Sequence, residues 1–296
     1  MRKIIVKSAV IGFALLFAVF ASGRAWAAAI HVVWEDSTSG SGEIYFRTSA
    51  DNGATWSANK WLTNNTGWSR SPSIAVNGSN IHVAWHDDTP GNYEIYFKTS
   101  ADNGATWSAA KRLTNNTGWS ASPSIAVNGS NIHVAWQDNT PGNFEIYFKT
   151  SADGGATWSA NKRLTNNTGE SRYPSIAING SNIHVAWVDD TPGNFEIYFM
   201  TSADNGATWS ANKRLTHNTG WSRGHSIAVN GSNIHVAWME DTPGNLEIYF
   251  KTSADGGATW SANKRLTNNT GWSRSPSIAV NGSNIHVAWH DDTPGN

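Results

Sequence analysis

Large apolar residues alternate with small or polar ones in short runs along most of this chain. In Ile81-His82-Val83-Ala84-Trp85 the bulky positions alternate with His and Ala, and in Glu94-Ile95-Tyr96-Phe97-Lys98 the Ile and Phe alternate with polar or amphipathic neighbours. A period of two over about five residues is the mark of a half-buried strand. Four strands fit each unit of the pattern, at 72–76, 81–85, 94–99 and 106–113. No segment carries helical spacing. The joints hold turn chemistry: Val76-Asn77-Gly78 predicts a hairpin, and Thr89-Pro90-Gly91-Asn92 sets Pro and Gly where a type II turn needs them.

The unit recurs. Ser-Ala-Asp-Asn-Gly-Ala-Thr-Trp starts at Ser49 and returns at Ser100, Ser151, Ser202 and Ser253, always 51 residues on, with Gly replacing Asn at positions 154 and 256. A fixed period of this size means one supersecondary unit copied in tandem. Four-stranded antiparallel units repeated about an axis predict an all-β propeller. The second-strand motif occurs six times, from Ile30 to Ile285, and the eight-residue string five times. A six-bladed ring with incomplete terminal blades follows. The alternative is a five-bladed ring closed by 276–280 docking on 30–34.

Residues 1–29 differ in kind. Arg2, Lys3 and Lys7 precede an apolar stretch from Ala9 to Ala21, short for a bilayer span, and Ala25-Trp26-Ala27 offers a small-x-small cleavage site. Residues 1–27 are expected to be a secretory signal peptide and 28–296 a single propeller domain, secreted, with no membrane span in the mature chain. Removing 1–27 leaves 17 basic against 22 acidic residues. That balance argues against a nucleic-acid partner. The sequence holds no cysteine, so closure rests on packing and hydrogen bonds.

The repeated string has the form Ser-x-Asp-x-Gly-x-Thr-Trp and resembles the Asp-box of the sialidase-like, or BNR-repeat, β-propellers. The resemblance covers nearly all of the chain after residue 29. It implies that Asp51, Asp102, Asp153, Asp204 and Asp255 define turns between third and fourth strands, remote from any active site. The residues read the same way: Asp102 can accept backbone N–H groups, Gly104 can take a positive φ, and Trp107 can pack back onto its blade. The spacing lacks the alternating oxygen ligands and distal Glu of an EF-hand, so neither a metal nor a cofactor is expected.

Antiparallel topology gathers the remaining loops at the opposite end, where binding residues on a rigid scaffold usually sit. These are the second-to-third loops, such as Asp87 to Asn92, and the crossovers between blades. The crossovers carry Trp68 and Arg70, Trp119, Glu170 with Arg172 and Tyr173, Trp221 and Arg223, and Trp272 and Arg274. Two residues after each second-strand Trp stands an acid: Asp36, Asp87, Asp138, Asp189, Glu240 and Asp291. Carboxylates with interleaved Arg and Trp suit sugars, whose hydroxyls take polar contacts and whose C–H faces stack on indole. Equally, each Trp could wedge between blades while Arg and Asp pair across the gap. The second-strand histidines, from His31 to His286, each stand beside their own neighbour, as satisfied interblade side chains do.

The resemblance also implies an exo-sialidase alternative. Arg70-Ser71-Pro72, Arg172-Tyr173-Pro174 and Arg274-Ser275-Pro276 are similar in register to the Arg-Ile-Pro motif of sialidases, and Asp87 or Asp88 would match their acid/base. Arg172, Tyr173, Glu170 and Asp87 are the catalytic candidates on that reading. A sialidase centre needs an arginine triad and a Tyr-Glu nucleophile drawn from dissimilar blades, whereas these copies are nearly interchangeable. The sequence therefore favours a multivalent module binding glycans on cell-surface polysaccharide or glycoprotein. Its candidate ligand residues are Trp68, Arg70, Trp119, Arg172, Trp221, Arg223, Trp272, Arg274, Asp87, Asp138 and Asp189. A structural surface protein is the third reading.

Overall fold

The computed structural model describes residues 29–38, 40–242 and 244–293; the expected signal peptide lies outside them. Among the described residues the protein is all strand and turn, and no helix is long and apolar enough to cross a membrane. Blade II shows the full unit: Ser69–Asn77, Asn80–Asp87, Glu94–Ser100 and Lys111–Arg112, in sheet order first to fourth and antiparallel throughout. Blades III and IV repeat it at 51 and 102 residues on, and blade V at 153. Blade I holds Ile30–Asp36, Glu43–Ser49 and Lys60–Trp61; blade VI holds Ser273–Asn281 and Asn284–Asp291.

Three expectations need correction. The strand expected at 106–113 shrinks to two residues, because Thr106 is already spent: its N–H and hydroxyl both donate to the Asp102 carboxylate, at 2.8 and 2.6 Å. The turn expected at Thr89 closes one residue earlier, with Gly91 N–H donating to Asp88 O at 2.8 Å. The five-bladed closure is also not what forms. Ser273–Asn281 pairs with its own second strand, Ile278 opposite Val287, as a sixth sheet.

The core lies between blades. One face of blade II offers Ala84, Ile95 and Phe97 to Ile132, Val134 and Trp136 of blade III, and the same alternation joins each successive pair. Period two has a direct meaning here, since one face of each strand serves the preceding blade and the other the following one. Trp85, Trp136, Trp187 and Trp238 are fully buried, and losing one of these would cost about 3–5 kcal/mol. Among the described residues blade VI has two strands and no blade follows it, so Ile285 and Trp289 are each 40% exposed where their counterparts are sealed.

The first strands are innermost and tie to one another. Ile125 N–H donates to Ser73 Oγ and Ile176 N–H to Ser124 Oγ, each at 3.1 Å. The histidines stack on the third-strand Phe of their own blade, His82 on Phe97 and His133 on Phe148, and share a 3.0 Å hydrogen bond with a Thr. Burial pushes His82, His133 and His184 down to about 4, so they are neutral at ordinary pH.

Candidate functional site

The Asp-boxes occupy one end, and what they do there is mechanical. In each box Ser100-type hydroxyls and Thr N–H and O–H groups converge on the carboxylate, and these bonds hold Asp102, Asp153, Asp204 and Asp255 at about 2. The Trp of the box goes to the preceding blade rather than its own: Trp107 meets Phe46 edge-on at 5.2 Å and Trp158 meets Phe97 likewise. Lysines complete the junction. Lys60 Nζ donates to Gly104 O at 2.8 Å, and Lys111, Lys162 and Lys213 repeat the contact one blade on. Grooves of about 580 and 500 Å³ run along this end, beside Lys60 and Lys111.

At the other end each crossover enters its blade through a bulge, with register slipping between Arg70 and Ser73. The residue after Arg70, Ala121, Arg172 and Arg274 adopts a left-handed conformation: Ser71 at φ 49°, Ser122 at 52°, Tyr173 at 54° and Ser275 at 50°. For a tyrosine this is an outlier. The bulge N–H explains why it persists, since the neighbouring blade supplies an acceptor: Gln137 Oε1 takes Tyr173 N–H at 2.9 Å and His86 Nδ1 takes Ser122 N–H at 3.2 Å. Pro72 follows without an N–H to satisfy. Blade V departs from the pattern. Gly224 relieves the strain, and His225 in place of Pro sets Nε2 3.0 Å from Ala186 O.

The ring of acids lies beneath this surface. Asp87 is 3% exposed and accepts from Asn65 Nδ2 at 2.7 Å, Ser69 Oγ at 2.5 Å and Thr89 N–H at 2.9 Å. Burial opposes its ionisation, but hydrogen bonds from Ser69, Thr89 and Asn65 outweigh this and hold the carboxyl below its ordinary value. Asp138 and Asp189 repeat the arrangement. Glu240 is the exception, pushed up by burial, with Glu196 adding to the effect. Geometry of this kind pins the crossover to the second strand and leaves few lone pairs for a ligand.

Opposite each acid of blades I to V in register sits a second buried carboxylate that sequence reasoning passed over. Glu145 is fully buried and accepts from Arg163 Nη2 at 2.8 Å, Thr165 Oγ1 at 2.5 Å and Asn167 N–H at 3.0 Å. Glu94, Glu196 and Glu247 pair with Arg112, Arg214 and Arg265 in the same way. The signal was available, since Glu and Lys-Arg recur in step at third and fourth strands.

The crossover tips themselves reach solvent. Trp119, Tyr173, Trp221 and Trp272 are between 47 and 55% exposed; Trp68 is half-buried against Gly42. Arginines lie over these rings or near them: Arg70 is 4.2 Å from Trp68, Arg223 and Arg274 are 5.1 Å from Trp221 and Trp272, and Arg172 is 4.4 Å from Phe144. Arg70 also approaches Glu35 of blade I at 3.7 Å, Arg172 pairs with Glu170, and Arg274 pairs with Asp292 at 3.0 Å. Among the described residues Arg223 makes no ion pair, and no two crossover arginines share a partner. Tyr173 stands beside Arg172 and Glu170, as the sequence has it, and Asp87 lies in a different blade.

Residues 5–168 match the BNR repeat-like domain family. No curated protein matches the sequence. Among solved structures, Trypanosoma rangeli sialidase superposes with a TM-score of 0.62 at 15% identity, over 95% of this chain and 52% of that one. The NanB sialidase of Streptococcus pneumoniae gives a TM-score of 0.63 at 12% identity, over 94% of this chain and 65% of that one. The chain thus spans about half to two thirds of the length of these sialidases, and at such identity the likeness is one of fold. The match over more than half of the sequence, the 51-residue Asp-box period and the blade architecture agree: the chain belongs to the BNR repeat-like family, as a sialidase-like β-propeller.

Proposed function

We propose that the protein is a secreted, multivalent carbohydrate-binding propeller without a complete catalytic centre. Residues 1–27 direct its export, and the propeller of 28–296 presents one weak site per crossover. The observation that carries this reading is the recurrence of an aromatic ring at successive crossover tips, joined by an arginine at all of them but that of Trp119, over acids that are consumed by internal hydrogen bonds. An indole beside a guanidinium offers a C–H stacking face and hydrogen-bond donors together. Weak sites in a rigid array gain by effective concentration, which multiplies affinity by about 10²–10⁴. On a glycan array, Trp119→Ala alone should weaken binding modestly, and joint replacement of Trp68, Trp119, Trp221 and Trp272 should abolish it. Equal loss from one replacement and from all four would refute multivalency.

One observation favours a glycosidase as the second reading. Tyr173 holds a strained conformation, its side chain is exposed, and Arg172 and Glu170 stand next to it. Strain of this sort gathers at functional sites. The sialidase neighbours supply the substrate class for this alternative, and saturable sialoside turnover removed by Tyr173→Phe would install it.

A further inference from the structure

Resting on the glycan-binding reading, we propose that the crossover rim takes one extended chain of an uncharged polysaccharide, laid across successive blades. Five consecutive blades contribute a ring to the rim: Trp68, Trp119, Tyr173, Trp221 and Trp272. Blade IV is informative because it breaks the pattern. There Glu170 replaces the Trp, and Tyr173, three residues on and 55% exposed, restores an aromatic surface at that step. The rings are held in fixed relation, since neighbouring first strands are hydrogen-bonded: Ile125 to Ser73, Ile176 to Ser124 and Ile278 to Ser226, with Asn179 Nδ2 donating to Gly231 O between blades IV and V. Packed sheets stand about 10 Å apart, which sets the step between neighbouring platforms and exceeds the reach of one sugar ring. A single terminal sugar could use one platform; a chain could use them all.

Charge decides the class of polymer. The rim carries four arginines, Arg70, Arg172, Arg223 and Arg274, and six carboxylates: Glu35, Asp88, Glu170, Asp190, Asp241 and Asp292. Three of the arginines are already paired with acids, and the buried acid ring lies directly below. A polyanion would meet an excess of negative charge. A polycation would meet guanidinium groups lying over three of the indoles it must stack on. Hydroxyl groups suit this mixture of paired donors and acceptors, and C–H faces suit the half-exposed rings. Trp119, Tyr173, Trp221 and Trp272 are about half exposed, so the rim offers an accessible surface of the kind a chain can cross.

The test is affinity electrophoresis of the full chain in gels containing uncharged glucan, mannan, xylan or galactan, against polygalacturonate and polysialic acid as anionic probes and chitosan as the cationic one. Calorimetry with oligomers of the retaining polymer then measures dependence on length. Retention by an uncharged polymer is expected, insensitive to added salt, with affinity rising at least about tenfold from disaccharide to hexasaccharide. Joint Trp119→Ala and Trp221→Ala replacement should lower that affinity at least about tenfold and leave the thermal melt unchanged, the rings being exposed. Retention confined to charged polymers, or affinity independent of length, overturns this inference and leaves glycan binding standing. Absence of binding to any of the polymers overturns both.

Discussion

Gly154 and Gly155 are adjacent in one Asp-box and both have positive φ, 69° and 93°, yet substitution at the two should differ sharply. A Cβ at Gly154 would meet nothing within 4 Å, whereas one at Gly155 would stand 2.6 Å from Phe97 Cε1 and 2.9 Å from Cζ, across the junction with blade II. Alanine at either site carries the left-handed penalty of about 1–2 kcal/mol. At Gly155 the ring must also move, and Phe97 is held edge-on by Trp158 and stacked on His82, so overpacking adds about 1–3 kcal/mol. We expect Gly154→Ala to cost about 1 kcal/mol and Gly155→Ala about 3 kcal/mol. Gly154→Asn should be nearly neutral, because Asn52, Asn103 and Asn205 already hold this position at φ 55–57°. Urea midpoints would rank the variants, and hydrogen exchange would localise the damage to blades II and III. Equal midpoints for Gly154→Ala and Gly155→Ala would refute the account of the Asp-box as an interblade wedge.

Other outcomes follow from the same contacts. Arg163→Met leaves the Glu145 carboxylate buried beside Asp138 without its cation and should cost about 3–5 kcal/mol in a urea melt; a loss below about 1 kcal/mol would mean the pair is idle. Burial lowers His82, His133 and His184 from 6.5 to about 4, so the unfolded chain takes up their protons first as the solution is acidified. Their contribution is complete above pH 6.5 and is lost as pH falls towards 4, on the order of 3 kcal/mol each. The Asp-box carboxyls, held at about 2, keep theirs over that window, so a melting temperature flat from pH 7 to 4 would contradict the histidine layer. Lys111→Met should loosen the junction between blades II and III alone, visible as faster exchange at Gly155 and Ala156; unchanged exchange there would show the lysine contact to be inert.

Strand identity and blade boundaries were legible because one residue in two faces each neighbouring blade, so the alternation survives intact in Ile81 to Trp85 and Glu94 to Lys98. What escaped reading depends on partners one period away. Lys60 looks like an ordinary surface lysine until Gly104 is brought beneath it, and Trp107 gives no hint that its ring belongs to Phe46 of the blade before. The left-handed bulge at Ser71 and Tyr173 is likewise invisible in the letters Arg-Ser-Pro, since its acceptor sits on another blade. Recurrence marks Asp87 and Asp138 in the sequence, whereas Ser69, Thr89 and Asn65 closing around the carboxylate emerge only from the geometry. Trp119, Trp221 and Trp272 stand exposed at the crossover tips while Trp68 is half-buried, a difference their shared sequence context does not show.

Because the junctions share most of their contacts, a blade surface distinguishes its proper neighbour from another copy by only a few side chains. Ser73 would accept the N–H of Ile176 as readily as that of Ile125, and Phe46 would receive Trp209 as readily as Trp107. The short tether between consecutive units selects the right partner, by raising its local concentration above that of the others. Emergence from the ribosome in order, one unit at a time, preserves that advantage. Dilution from denaturant at high protein concentration removes it, and chains then exchange blades out of step by whole multiples of 51 residues, locking into swapped assemblies whose individual contacts are mostly native.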